Sequence, residues 1–236
     1  IQLQTHGGEI CWRNIRIHEI GSAEANKILA AVGDDDYLSI FNGKDFTGWS
    51  GPVDQYQIVN GALQCRQGSG GTIYTDKDYS DFSVRFEYKL PAAGNNGLAI
   101  RYPRFGNPAY DGMCELQVLD NSAKQYESLK DYQFHGSAYG MVPAHRGYQR
   151  AVGEWNFQEV RVYGSRVEVE LNGTVILNCD LSEIEQSIDG RDHPGRTLST
   201  GAFGFAGHND AVEFKNIKIY SASGSSSSSA SSHTTS

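Results

Sequence analysis

The sequence predicts an all-β protein, a sandwich of two antiparallel sheets packed face to face, with helix confined to a turn or two around residues 23–31. Three observations carry this expectation. From Tyr37 to Tyr220 segment after segment alternates apolar and polar residues with a period of two, as half-buried strands do. Asn60-Gly61 and Asn172-Gly173 each stand between two such runs, where a tight hairpin turn needs positive φ. Finally, 27 glycines and 13 tyrosines among 236 residues favour turns and strands over long helices.

Taken in order, the first element is a repeat. Residues 4–17 read Gln-Thr-His-Gly-Gly-Glu-Ile-Cys-Trp-Arg-Asn-Ile-Arg-Ile, and residues 206–219 read Ala-Gly-His-Asn-Asp-Ala-Val-Glu-Phe-Lys-Asn-Ile-Lys-Ile. His6 matches His208, Ile10 matches Val212, Trp12 matches Phe214, and Asn14, Ile15 and Ile17 match Asn216, Ile217 and Ile219. Both copies alternate as strands do, so residues 8–17 are expected to form one, with Ile10 and Trp12 facing a core. Residues 1–20 are then either the terminal strand of an upstream copy of the domain or an opening strand of this one. The shared turn residues and histidine favour the former. Residues 21–35 read as a linker with a short helix, ended by Asp34-Asp35-Asp36, which is best taken as a solvated acidic turn.

Residues 36–220 form the sandwich proper. Tyr56 to Cys65 reads as a hairpin turning at Asn60-Gly61, and Arg166 to Leu177 as another with Asn172-Gly173 at its tip. Phe82 to Leu90, Gly97 to Tyr102, Cys114 to Leu119 and Asn156 to Tyr163 alternate cleanly. Two long irregular stretches, 121–153 and 180–200, interrupt the strands, and loops of that length are usually functional. Residues 221–236 are nearly all Ser, Ala, Gly and Thr and have no capacity to bury a core.

Charge and cysteine usage narrow the partners. A net charge of −8 repels phosphate backbones, so nucleic acid is not an expected ligand. No apolar run approaches the ~20 residues of a membrane span. Cys11, Cys65, Cys114 and Cys179 match no zinc spacing, and Cys65 and Cys114 fall on the apolar phase of their strands, as small buried hydrophobes do.

An ordered set of motifs carries a family likeness. It comprises Leu38-Ser-Ile-Phe-Asn-Gly-Lys-Asp-Phe-Thr-Gly-Trp, Gly94-Asn-Asn-Gly-Leu-Ala-Ile-Arg, Glu115-Leu-Gln-Val-Leu-Asp-Asn, Gly136-Ser-Ala-Tyr-Gly, Gly153-Glu-Trp-Asn, Leu171-Asn-Gly, and Gly204-Phe-Ala-Gly-His with Phe214-Lys-Asn-Ile-Lys-Ile. This resembles the 3-keto-disaccharide hydrolase domain family. The resemblance implies a concanavalin-like, laminin-G-like jelly roll, an extracytoplasmic bacterial setting, and cleavage of glycosides already oxidised at the sugar's 3-position.

Strand phase and the resemblance together select candidate site residues. In Met113 to Asp120, Cys114, Leu116 and Val118 share the core face, so Glu115 and Gln117 project from the other. Arg101, if in register, joins them, and such a set suits the donors and acceptors of sugar hydroxyls. Asn95 and Asn96 lie in the Gly94–Gly97 turn, where Asn is also common for purely local reasons. His135 and Tyr139 lie in the first long loop beside glycines, and His208 precedes the last strand. Either histidine is a candidate base, with Glu115 placing it or holding a metal. Trp155 either stacks on a sugar or packs on the core. No metal-ligand spacing is visible, so a divalent cation remains an unassigned alternative to Arg101 for stabilising an enolate. Two functions stand against each other: elimination and hydrolysis of 3-keto-glycosides, or a non-catalytic carbohydrate-binding module in a larger extracytoplasmic protein. A structural module without a ligand is the third reading.

Overall fold

The computed structural model describes residues 2–221. One helix, α1 (Ser22–Ala31), precedes thirteen strands. These are β1 (Leu38–Ser39), β2 (Trp49–Ser50), β3 (Tyr56–Val59), β4 (Ala62–Cys65), β5 (Gly70–Tyr79), β6 (Phe82–Lys89) and β7 (Asn95–Tyr102). They continue with β8 (Cys114–Leu119), β9 (Trp155–Tyr163), β10 (Arg166–Leu171), β11 (Thr174–Asp180), β12 (Gly201–His208) and β13 (Glu213–Ser221). All pairings are antiparallel. The larger sheet runs β11-β10-β9-β6-β13-β4-β3, with β1 also on β13, and the smaller runs β2-β5-β12-β7-β8. The fold is therefore the concanavalin-like sandwich of two antiparallel sheets that the sequence predicts.

Between the sheets lies an aromatic core. Phe205 stacks on Phe214 at 4.0 Å and on Trp49 at 5.5 Å, and meets Phe86 edge-on at 6.0 Å. These rings come from β12, β13, β2 and β6, so one cluster joins both sheets. Cys65 and Cys114 are buried, as their phase predicts, and all four cysteines are free thiols.

Both Asn-Gly turns form where expected. Asn60 and Asn172 take φ +51° and +50°, followed by Gly61 and Gly173 at +79° and +85°. Helix α1 lies over the outer face of the larger sheet. There Asn26, 2% exposed, donates to Glu87 (2.7 Å) and to the Trp155 carbonyl, and accepts from Arg150.

The opening segment departs from expectation. Residues 8–17 form no strand, and Ile10, Trp12, Ile15 and Ile17 are exposed rather than facing a core. The reason is geometric: the sandwich already has its terminal strand, with β13 held between β6 and both β4 and β1. The acidic turn Asp34–Asp36 is a short 3-10 turn, and Asp34 pairs with Lys218 at 2.5 Å. No helix among the described residues is long and apolar enough to cross a membrane.

Candidate functional site

On β8 every second residue faces away from the core, and Glu115, Gln117 and Leu119 all line a cleft of about 310 Å³ on the outer face of the smaller sheet. The cleft floor comes from β7 and β12. Gly97 stands opposite Gln117 and Ala206, and Ala99 opposite Glu115 and Gly204. These small residues leave room above the sheet. At Gly97 the room is obligatory, since a Cβ there would sit 2.0 Å from Oε1 of Glu115. The Glu115 side chain thus lies across Gly97.

At the end of β12, His208 enters the same cleft, its Nε2 3.5 Å from Oε1 of Glu115. The Glu115 side chain is 7% exposed and that of His208 is 48% exposed. The carboxylate favours the imidazolium and raises the pKa of His208 above its ordinary value, against the opposing effect of burial. With Nε2–H directed at Glu115, the free lone pair of neutral His208 is on Nδ1. Gln117 donates to Oδ1 of Asn95 at 2.7 Å, which orders the next pair of polar groups along the floor.

The two long loops wall this floor. Residues 136–139 add to the edge of β8: Gln117 N donates to Ser137 O (3.0 Å), Gly136 N to Gln117 O (2.7 Å) and Tyr139 N to Glu115 O (2.9 Å). This docking brings Tyr139 and Gln133 to the cleft, hydrogen-bonded to each other at 3.2 Å. The second loop is tied down by His193, whose Nδ1 lies 2.8 Å from Ala109 O and whose Nε2 lies 3.3 Å from Asp189. Arg191 then reaches the cleft and donates to the Tyr110 hydroxyl at 2.9 Å.

Glu115, Gln117, Asn95, Tyr139 and His208 all line this one cleft. Four expected site residues lie elsewhere. Arg101 has φ +45° beside a register shift of β12, and its guanidinium turns inward to the carbonyls of Ser80, Gly164 and Leu198 and to Asp81. It clasps three loops and does not share the Glu115 face. Asn96 has the core phase of β7 and is fully buried. Trp155 is on the larger sheet, with Lys89 and Lys215 over its ring at 4.8 and 4.0 Å.

His135 is 1% exposed, and burial pushes its pKa down to about 3. Leu119 N donates to its Nδ1 (3.4 Å), and its Nε2 faces the Tyr88 hydroxyl at 3.1 Å. A sealed imidazole with both nitrogens engaged is a core residue and no candidate base. Sequence reasoning missed Asn107, Tyr110, Tyr126 and Arg191, which also line the cleft. The length of the two irregular stretches was the signal for Tyr126 and Arg191, and no pattern marked Asn107 or Tyr110. Among the described residues, no group of three or more His, Cys, Asp or Glu side chains is arranged to hold a metal ion.

The fold and cleft define a class first. This is a concanavalin-like β-sandwich with a polar cleft on its smaller sheet, and the carbohydrate-binding module CBM66 of Bacillus subtilis has the same fold. That similarity has a TM-score of 0.50 at 18% identity, covering 75% of this chain and 98% of that one. The chain belongs to the 3-keto-alpha-glucoside-1,2-lyase-like domain family, whose model matches residues 36–220. It is 26% identical to a 3-keto-disaccharide hydrolase of Bacteroides thetaiotaomicron, over 84% of this chain and 82% of that protein. A solved putative glycosyl hydrolase from Parabacteroides distasonis is similar at TM-score 0.66 and 28% identity, over 80% of this chain and 95% of that one.

Proposed function

We propose that this domain cleaves glycosides already oxidised to a ketone at the sugar's 3-position, by elimination across C1–C2 followed by addition of water. The observation that carries this reading is the Glu115–His208 pair, 3.5 Å apart in a polar cleft. A 3-ketone acidifies the hydrogen on C2. Neutral His208 takes that proton, and the C2–H electron pair moves into the C2–C3 bond, placing negative charge on the C3 oxygen. Collapse of this enolate forms the C1–C2 double bond and expels the substituent oxygen from C1, which takes up a proton. Water then adds at C1 and a proton returns to C2, so one glycoside and one water give two sugars.

A base of raised pKa held by a carboxylate suits the first step. Arg191 supplies the positive charge for the enolate oxygen, the role that Arg101 cannot fill. The reaction does not use the paired carboxylates of ordinary glycosidases, and among the described residues Glu115 is the one carboxylate lining this cleft. The proposal places the protein outside the cytoplasm on the family resemblance alone, and fractionation of the source cells checks that placement.

A second reading has its own support. Tyr110, Tyr126 and Tyr139 line the cleft, and aromatic faces bind sugars without chemistry. One experiment separates the two. The chain is incubated with a 3-keto-disaccharide and with its unoxidised parent, and free sugars are measured. Release from the 3-keto compound alone is expected. Tight binding without release is the result of a binding module and overturns the enzymatic reading.

A further inference from the structure

The opening segment is built as the last strand of a sandwich, yet it has no sandwich to close. Residues 2–20 form no strand among the described residues, and their apolar side chains stand in solvent. Ile10, Trp12, Ile15 and Ile17 are 51, 52, 55 and 68% exposed. Their counterparts in the repeat, Val212, Phe214, Ile217 and Ile219, are 0, 0, 0 and 4% exposed. A row of four large apolar residues at strand spacing, all unburied, is a face made for a partner.

Backbone conformation repeats along with sequence. In the turn before β13, Asn209 has φ +65°, and its counterpart Gly7 has +60°. Within β13, Asn216 has φ +52° at the point where the register with β6 shifts between Lys215 and Lys218. Its counterpart Asn14 has φ +58°. A non-glycine residue at positive φ is uncommon, and it is strained unless surrounding structure requires it. In β13 the requirement is visible: the bulge carries the chain from the Phe214 side of the core to Ile217 and Ile219, and Asn216 donates to Glu87 at 2.5 Å. At Asn14 no neighbouring strand imposes this conformation, yet the residue keeps the positive φ.

We infer that residues 6–17 are the terminal strand of a second β-sandwich of this same fold, which precedes this domain in the polypeptide and takes Ile10, Trp12, Ile15 and Ile17 into its core. The occupant is specified by β13. A surface that accepts this strand must offer one strand on each flank, a ring stack for Trp12 like that of Phe205 on Phe214, and a bulge opposite Asn14. This domain cannot supply that surface, because β13 already fills it. His6 falls where His208 stands, so the strand brings its sandwich a histidine at the rim of the equivalent cleft.

Hydrogen exchange on the complete polypeptide, as its source cell makes it, tests the inference against the 236-residue chain. Amides of residues 10–17 are expected to exchange about 10³-fold more slowly in the complete polypeptide, as core strands do. Equal and fast exchange in both proteins overturns the inference. Calorimetry of Trp12→Asp in the complete polypeptide identifies the partner. The melting transition of the preceding domain is expected to fall, with that of residues 36–220 unmoved. A fall confined to the 36–220 transition means that the segment packs on this domain, and also overturns the inference.

Discussion

His208 is half exposed while Glu115 is buried, so their pair has one wet and one dry end, and its chemistry follows pH in a predictable direction. Glu115 holds the proton on His208, and the base form appears only above this raised pKa. Under the proposed mechanism kcat/KM therefore rises with pH through an inflection above the ordinary histidine value of ~6.5. Glu115→Gln keeps the shape and removes the charge. A pH–rate profile of this variant is expected to show the inflection moved down and turnover of a 3-keto-glycoside cut by about 10² or more. If the domain only binds sugar, the same substitution weakens affinity by roughly 1–3 kcal/mol, the loss of a charged hydrogen bond, with no turnover to lose. Gly97→Ala reaches the same carboxylate from below, because the new Cβ would meet Oε1 at 2.0 Å. The variant is expected to lose turnover as Glu115→Gln does and to melt below the parent, because Cδ and Cγ of Glu115 would lie 2.5 and 2.6 Å from the new Cβ. Full activity in Gly97→Ala would refute the seat assigned to Glu115.

At the scale of elements, what was legible is what depends on period and turn chemistry. Alternation put Glu115 and Gln117 on the outer face of β8 and Cys114 in the core, and the Asn-Gly pairs fixed two hairpins, because both signals are local. What alternation cannot show is where a strand bends. The positive φ of Arg101 swings a guanidinium off the face that counting assigned to it, and Asn96 took the core phase that its turn-like sequence concealed. His135 shows the same limit: its loop adds to the edge of β8 and carries the ring under Leu119, a tertiary event with no local signature. Its burial has a measurable consequence. The folded protein excludes a proton from His135 down to about pH 3, whereas the unfolded chain binds it below about 6.5. Stability from this group is thus complete above pH ~6.5 and declines by about 1.4 kcal/mol per pH unit below it. His135→Gln has no such proton to exclude. Urea titrations at pH 7 and pH 4.5 are expected to show the parent losing about 2–3 kcal/mol more than the variant across that interval.

At the scale of the whole molecule, the segments preceding the sandwich differ in what they contribute, and truncation separates them. Residues 2–20 are exposed throughout and make no strand pairing with residues 36–220. Removing residues 1–20 is expected to leave both the melting temperature and the turnover of the remaining chain unchanged. The next fifteen residues are bound to the larger sheet by several polar ties. Asn26 bridges Glu87 and Arg150, Arg85 donates to the Val32 carbonyl at 2.5 Å, and Asp34 pairs with Lys218. Arg85 is mostly buried, so removing residues 1–35 leaves its guanidinium short of a partner, and it strips Glu87 of its bond from Asn26. The lost charged hydrogen bonds are worth about 3 kcal/mol together, which for a domain of this size lowers the melting temperature by about 6–12 °C. The cleft lies on the opposite sheet, so below its melting point the shorter protein is expected to turn over substrate at the parent's rate. Thermal melts and turnover assays on the two truncated chains check both halves of this expectation. A fall in melting temperature on removing residues 1–20 alone would show that the opening segment packs on this sandwich, and the strand would then belong here rather than to a preceding copy.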